Sequence, residues 1–186
     1  ERARLVIPVR TPQSDNTSAN PTEKATLALS SANAEISFQV PGVPESSQAF
    51  ALTPVAMRTL PLQRVAGGTR IVLRSVSDEL GLLTEDPQVI HAFRQRVQRD
   101  GPRYARLHRD AVGQRAAIAA EVTRRLGQSE QDPQAGVIAA AESSLRQADS
   151  FLASGRLQEA FDATNVAAGL IEQFTERQRR LNFPPA

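Results

Sequence analysis

At Asp86-Pro87 the spacing of apolar residues changes from every second position to roughly every three and a half. A strand turns alternate side chains to one face, whereas a helix returns to a face after 3.6 residues, so no single kind of element serves both halves. The expected class is therefore α+β, with domains over residues 1–84 and 85–186. With 186 residues, 40% of them hydrophobic, the chain is long enough to bury a core of its own.

Before the switch, Ile36, Phe38 and Val40 alternate with Ser37 and Gln39 until Pro41-Gly42 turns the chain, a turn that Pro44 extends. Leu60 and Leu62 alternate with Pro61 and Gln63. Gly67-Gly68 separates this run from Ile71 and Leu73, which predicts a hairpin closed by a tight primed turn with both glycines at positive φ. Further strands are expected at Arg4 to Val9, Lys24 to Leu29, Ala49 to Thr53 and Gly81 to Thr84, with a polar loop over Thr11 to Thr22. About seven short strands at this spacing predict an antiparallel β-sandwich.

After the switch, Asp86 is placed to cap a helix whose first position is Pro87. Ile90, Val97, Tyr104, Ala111 and Ile118 recur at sevens, with Phe93 and Leu107 on the adjoining seam. The phase holds across Gly101-Pro102, which predicts one long kinked helix. Leu126-Gly127 ends it, and Ser129 to Asp132 with Pro133 sets up the next helix. Ile138, Ala141, Leu145, Ala148 and Leu152 line that helix up to a stop at Gly155. The last helix turns Leu157, Phe161, Thr164, Ala168, Ile171 and Phe174 inward and fades at Leu181. The short link from Ser154 to Arg156 forces an antiparallel pair, and Ala141, Ala148, Ala160, Ala167 and Ala168 let the two helices approach closely. A three-helix antiparallel bundle follows. Ala148, Gly155, Glu159-Ala160 and Ala167 also resemble the pattern of helical-repeat hairpins, but one hairpin is not a solenoid.

Several chemistries are disfavoured by composition. The chain has no cysteine and only His91 and His108 as imidazoles, so metal sites, cofactors and thiol nucleophiles are not expected. No apolar run approaches the roughly 20 residues of a membrane-spanning helix. An isoelectric point near 9.9 suggests nucleic acid, and the first helix carries Arg94, Arg96, Arg99, Arg103, Arg106, Arg109 and Arg115. The next two helices answer with Glu130, Asp132, Glu142, Asp149, Glu159, Asp162, Glu172 and Glu176, so pairing within the chain is expected instead. Without tryptophan, and with Tyr104 the single tyrosine, the chain lacks the exposed rings on which sugars stack. The adjacent acids Asp78-Glu79 and Glu85-Asp86 read as structural, and no catalytic residue is assigned.

Three stretches carry a likeness: Ile36 to Pro54, with its Pro41-Gly42-Val43-Pro44 turn; Leu60 to Leu73, with Arg64-Val65-Ala66-Gly67-Gly68; and Leu82 to Pro87, with Leu83-Thr84-Glu85-Asp86-Pro87. Together they resemble the C-terminal β-sandwich of planctomycete glycoside-hydrolase-like proteins, where a helical hairpin often follows. The likeness covers most of the chain and departs from the pattern between Arg74 and Glu79, where Ser75-Val76-Ser77-Asp78 stand. It implies that the catalytic carboxylates belong to an upstream barrel and that this chain contributes none.

The chain begins at Glu1 and runs at once into Leu5, Val6 and Ile7, which reads as a piece of a longer protein whose leader lies upstream. Only Lys24 among the 22 basic residues is lysine, a bacterial-looking bias. The expected role is a non-catalytic accessory or interaction module of a larger exported protein, found in the periplasm, at the cell surface or outside the cell. Its partner would be the upstream domain or another subunit, met through Ile90, Phe93, Val97, Tyr104 and Phe183. Alternatives are a self-assembling coat or appendage component, a homo-oligomer joined at strand edges such as Lys24 to Leu29, and a carbohydrate-binding module.

Overall fold

The computed structural model describes residues 3–8, 35–74, 78–125 and 133–182. Among them are seven strands: β1 (Ala3–Val6), β2 (Ile36–Val40), β3 (Gln48–Leu52), β4 (Met57–Leu60), β5 (Gln63–Val65), β6 (Gly68–Leu73) and β7 (Leu80–Thr84). Three helices follow: α1 (Pro87–Arg125), α2 (Pro133–Ala153) and α3 (Leu157–Asn182). The class is α+β. The chain divides into two compact units, Glu1–Val97 and Gln98–Ala186. The expected strand at Lys24 to Leu29, the loop at Thr11 to Thr22, the helix stop at Leu126-Gly127 and the helix lead-in from Ser129 to Asp132 all lie outside the described residues.

In the first unit the strands form two antiparallel sheets, ordered β1-β7-β3-β4 and β2-β6-β5. Ala49, Ala51, Leu60 and Leu83 from one sheet meet Ile71 and Leu73 from the other in a single core, with Val6, Phe38 and Val40 packed against it. Strands β3 and β7 do not alternate: Ala49, Phe50, Ala51 and Leu52 are all buried, as are Gly81, Leu82, Leu83 and Thr84. Such a run marks a strand covered on both faces. The second cover is the start of α1, where Ile90, Val89 and Phe93 pack with Phe50, Leu52, Leu82 and Met57.

Two expectations about the middle strands are corrected. The Leu60-Pro61-Leu62-Gln63 run is not one strand: β4 pairs with β3 and β5 pairs with β6, so the chain changes sheet at Pro61. Proline has no N–H to give a ladder, which makes it the natural place to leave one. The hairpin itself forms, with Val65 opposite Gly68, but its turn is not primed. Only Gly67 of the two central residues is left-handed (φ 86°), and no described non-glycine residue has positive φ, so Ala66 takes the ordinary side, as in a type II turn. Gly68 also has positive φ (157°), so both glycines do as expected, and space demands it too, because a Cβ there would lie 2.5 Å from the Val40 carbonyl oxygen.

Side chains then pin the turns. Arg64 donates from Nη1 to the Val43 carbonyl (2.8 Å) and from Nη2 to the Pro44 carbonyl (2.6 Å), while Gln39 Nε2 donates to the Ala66 carbonyl (2.8 Å). At the start of α1 the Gln88 N–H donates to Asp86 Oδ1 at 2.8 Å, the cap the sequence predicts, with Pro87 at the first helical position.

The second unit holds the rest of α1, which continues as helix through Gly101-Pro102 to Arg125. Its inward residues are not the sevens series. Tyr104, Ala111 and Ile118 are exposed, whereas Gly101, Ala105, Val112, Ala116, Ala119 and Thr123 are buried and His108 is half-buried. Gly101, Val112 and Thr123 stand eleven apart, as do Ala105 and Ala116, and His108 and Ala119. Eleven residues in three turns is 3.67 per turn, close to the helix's own 3.6, so this face stays aligned without the left-handed supercoil that sevens require. Val112 and Ala116 meet Ala141, Leu145, Ala167 and Ile171, and Ala119 meets Ile138 and Phe174.

The α2–α3 link behaves as expected. Gly155 is left-handed (φ 72°), its N–H donates to the Leu152 carbonyl (3.2 Å), and the Arg156 N–H donates to the Phe151 carbonyl (2.9 Å). These are the paired bonds of a Schellman stop. Ala141, Ala148, Ala160 and Ala167 are at most 1% exposed, which brings the two backbones close.

Glycine substitutions separate these roles. Gly68→Ala is expected to destabilise the first unit by more than about 1 kcal/mol, because backbone rather than a flexible side chain stands in the way. Gly136→Ala, in helix α2 with open space around it, is expected to add about 1 kcal/mol. Urea unfolding of the two variants beside the parent chain measures both signs.

Candidate functional site

The residues expected to meet a partner have separate fates. Ile90 is buried and Phe93 half-buried against the outer face of the four-stranded sheet, Val97 is half-buried, and Tyr104 is 43% exposed. Phe183 lies outside the described residues. The shared seven-residue spacing therefore joins side chains that cover a sheet to others that face solvent.

From Tyr104 onward the outward residues form a stripe of their own. Leu107 is 58% exposed and Ile118 65%, with Ala111 between them and Val122 at their end also exposed. Sequence periodicity finds these positions but cannot say whether they face inward, because a second apolar series, smaller in side-chain volume, runs along the neighbouring face of the same helix. The stripe is bordered by an aromatic group. The Tyr104 and His108 rings stack at 6.1 Å between centroids, the Phe161 ring lies 5.2 Å from that of His108, and His108 Nε2 and Asn165 Oδ1 are 2.8 Å apart. A ring nitrogen held by an amide oxygen is a donor, so His108 serves here as a packing and hydrogen-bonding residue.

The charges are organised locally more than across helices. Of the nine arginines of α1, Arg109 reaches another helix, donating from Nη2 to Asp149 of α2 at 2.5 Å. Gly113 makes room for it, since a Cβ there would lie 3.0 Å from Arg109 Nη1. Arg94 lies over the Phe50 ring at 5.9 Å, and Arg99 pairs with its neighbour Asp100. The acids are likewise held from within their own helices: Glu121 by Arg124 and Arg125, Glu159 by Arg156, and Glu176 by Arg179 and Arg180. The expected pairing of a basic helix with an acidic pair thus reduces, among described residues, largely to Arg109–Asp149. Pairs three and four residues apart form within a turn and need no tertiary contact, so they win wherever the sequence offers them.

The adjacent acids are structural. Glu79 is buried, accepts a bond from Arg58 Nη2 at 2.9 Å, and accepts the Arg74 N–H at 2.7 Å, closing the β6–β7 connection. Asp86 caps α1, and Glu85 accepts a bond from the Ser46 hydroxyl. A hollow of about 230 Å³ lies beside Arg4, Pro44, Thr84 and Glu85. A wider open groove of about 580 Å³ runs along α1 and α2 past Arg109, Gly113, Gln114, Glu142 and Arg146. Among the described residues no three His, Asp or Glu side chains are placed to hold a metal ion, and no helix is long and apolar enough to cross a membrane. His91 belongs to the first unit and His108 to the second.

No family model matches the chain, and no curated protein or solved structure matches it.

Two outcomes follow from these charges. Glu79→Ala is expected to cost about 1–3 kcal/mol in urea unfolding, because it strands the Arg74 N–H and frees Arg58. The Arg179 and Arg180 bonds hold the Glu176 carboxyl down at about 2. A lowered carboxyl stabilises the fold above its unfolded value near 4.5 and loses that contribution as pH falls toward 2. Carbon-detected NMR titration should place the Glu176 midpoint near 2 in the parent chain and return it toward the ordinary carboxylate range in the Arg179→Gln, Arg180→Gln double variant.

Proposed function

We propose that the chain is a non-catalytic interaction module of a larger exported protein, its two sheets forming a β-sandwich and its helices an antiparallel bundle with a kink at Pro102. The observation that carries this reading is the outward apolar stripe of α1, Tyr104, Leu107, Ala111, Ile118 and Val122, exposed beside the buried face of the same helix. Exposed apolar side chains in series are the usual mark of a surface that meets something. The acids that chemistry would need are engaged otherwise: Glu79 closes a loop, Asp86 caps a helix, and Glu121 and Glu176 are each held by two arginines. Export and an upstream catalytic barrel are supported by the resemblance to glycoside-hydrolase-like proteins.

A second reading, self-association, has one observation in its favour. Strand β1 is an edge of the four-stranded sheet and exposes Leu5, with Ile7 just beyond it. An edge with apolar side chains is a template for pairing with another copy.

Intact-mass measurement of the native polypeptide, with light scattering of this chain alone, separates them. The module reading expects a native mass well above 20.1 kDa and a monomeric isolated chain. A native mass of 20.1 kDa overturns it, and concentration-dependent growth abolished by Leu5→Lys establishes the second reading instead.

A further inference from the structure

We infer that the outward stripe of α1 is a docking seam for an amphipathic helix of another protein that brings its own carboxylates. The inference rests on the module reading and names the chemistry of the partner.

Three features of the stripe lead there. Its first is width. At 100° per residue, Tyr104, Leu107, Ala111, Ile118 and Val122 fall within roughly 60° of arc, about a quarter turn from the buried face. A lipid surface asks for a broad apolar face, while a seam this narrow is what one helix offers another. The second is spacing. Tyr104, Ala111 and Ile118 keep the seven-residue interval that brings two helices together by supercoiling, whereas the buried face of the same helix keeps the eleven-residue interval of a straighter path. One helix thus carries two periods; the chain's own helices pack on the second and meet the first at Tyr104, whose ring lies 6.2 Å from that of Phe161. The series spans about 27 Å at 1.5 Å per residue, five turns of contact.

The third feature is charge. Arg103 and Arg115 border the stripe on opposite sides, both exposed and both without an ion-pair partner among the described residues. The two carboxylates along the same border are already engaged by arginines of α1: Asp110 lies 3.7 Å from Arg109, and Glu121 is held by Arg124 and Arg125. A second copy of this face would therefore offer arginine to arginine, with its acids committed elsewhere. A partner with Glu or Asp flanking an apolar seam meets both needs, because opposite charges beside a helical seam set partner choice.

The test uses the whole chain and two synthetic three-heptad peptides with the same leucine seam, one with glutamate and one with lysine at the flanking positions. Fluorescence anisotropy should show the glutamate peptide binding at least about tenfold more tightly than the lysine peptide, with the difference shrinking as salt is raised. Ile118→Asp and Leu107→Asp should each abolish binding while leaving the helical circular dichroism and the melting temperature unchanged, since both side chains are exposed. Arg103→Glu with Arg115→Glu should reverse the preference. Equal binding of the two peptides overturns the charge requirement, and binding that survives Ile118→Asp overturns the seam. Failure of both peptides, with binding to phosphatidylserine vesicles or with self-association blocked by Ile118→Asp, assigns the stripe to a lipid surface or to a second copy and overturns the proposal. Those results leave the module reading standing, because that reading is judged by the native mass; a native mass of 20.1 kDa removes the module reading whatever the peptides do.

Discussion

Strands β3 and β7 are apolar on both faces, and the first unit is arranged around that fact. One face is covered by the second sheet through Ala49, Ala51, Leu83, Ile71 and Leu73. The other would leave Phe50, Leu52 and Leu82 in water, each worth about 1.5–3 kcal/mol when buried. The chain covers them with the first turns of the helix that follows β7, and the cover works because the helix starts where it does. Asp86 accepts the Gln88 N–H, Pro87 begins the helix, and Val89, Ile90 and Phe93 then come round over the sheet. A cap on one residue thus fixes the phase of the helix and places the residues that close the core.

The second unit solves a different packing problem. Its interior is built from alanine, with larger residues such as Leu145, Phe161, Ile171 and Phe174 between. Small side chains let helices approach, so dispersion contacts accumulate over long, close surfaces rather than around a few large anchors. The inner face of α1 is likewise small, with Ala105, Val112, Ala116 and Ala119 buried. The bulkier Leu107 and Ile118 stay outside, and Tyr104 is 43% exposed at the border of that side. That inversion, small residues within and large ones without, is why the exposed stripe reads as a surface for another molecule.

Ion pairs play a smaller part in the architecture than the arginine content suggests. Among the described residues most join residues three or four apart on one helix and stiffen it locally, with modest effect at full exposure. The Arg109–Asp149 bond joins two helices, and Gly113 keeps space for its guanidinium. Arg103 and Arg115 are left over from this local pairing, and their position beside the apolar stripe gives the surface its sign.

By itself the sequence determined the α+β order, the strand at Ile36–Val40, the Asp86-Pro87 helix start, the Gly155 stop and the buried alanines of α2 and α3. These are local properties: a period, a cap, a left-handed residue or a small side chain acts within a few positions of itself. Only the tertiary structure decided that the chain leaves one sheet for the other at Pro61, since strand pairing depends on partners far along the chain. It also decided which face of α1 is inner. Apolar series at seven and at eleven lie side by side on that helix, and helical periodicity is satisfied by either. The packed side is the one that meets Ala141, Leu145, Ala167 and Ile171, which Val112 and Ala116 join in one cluster.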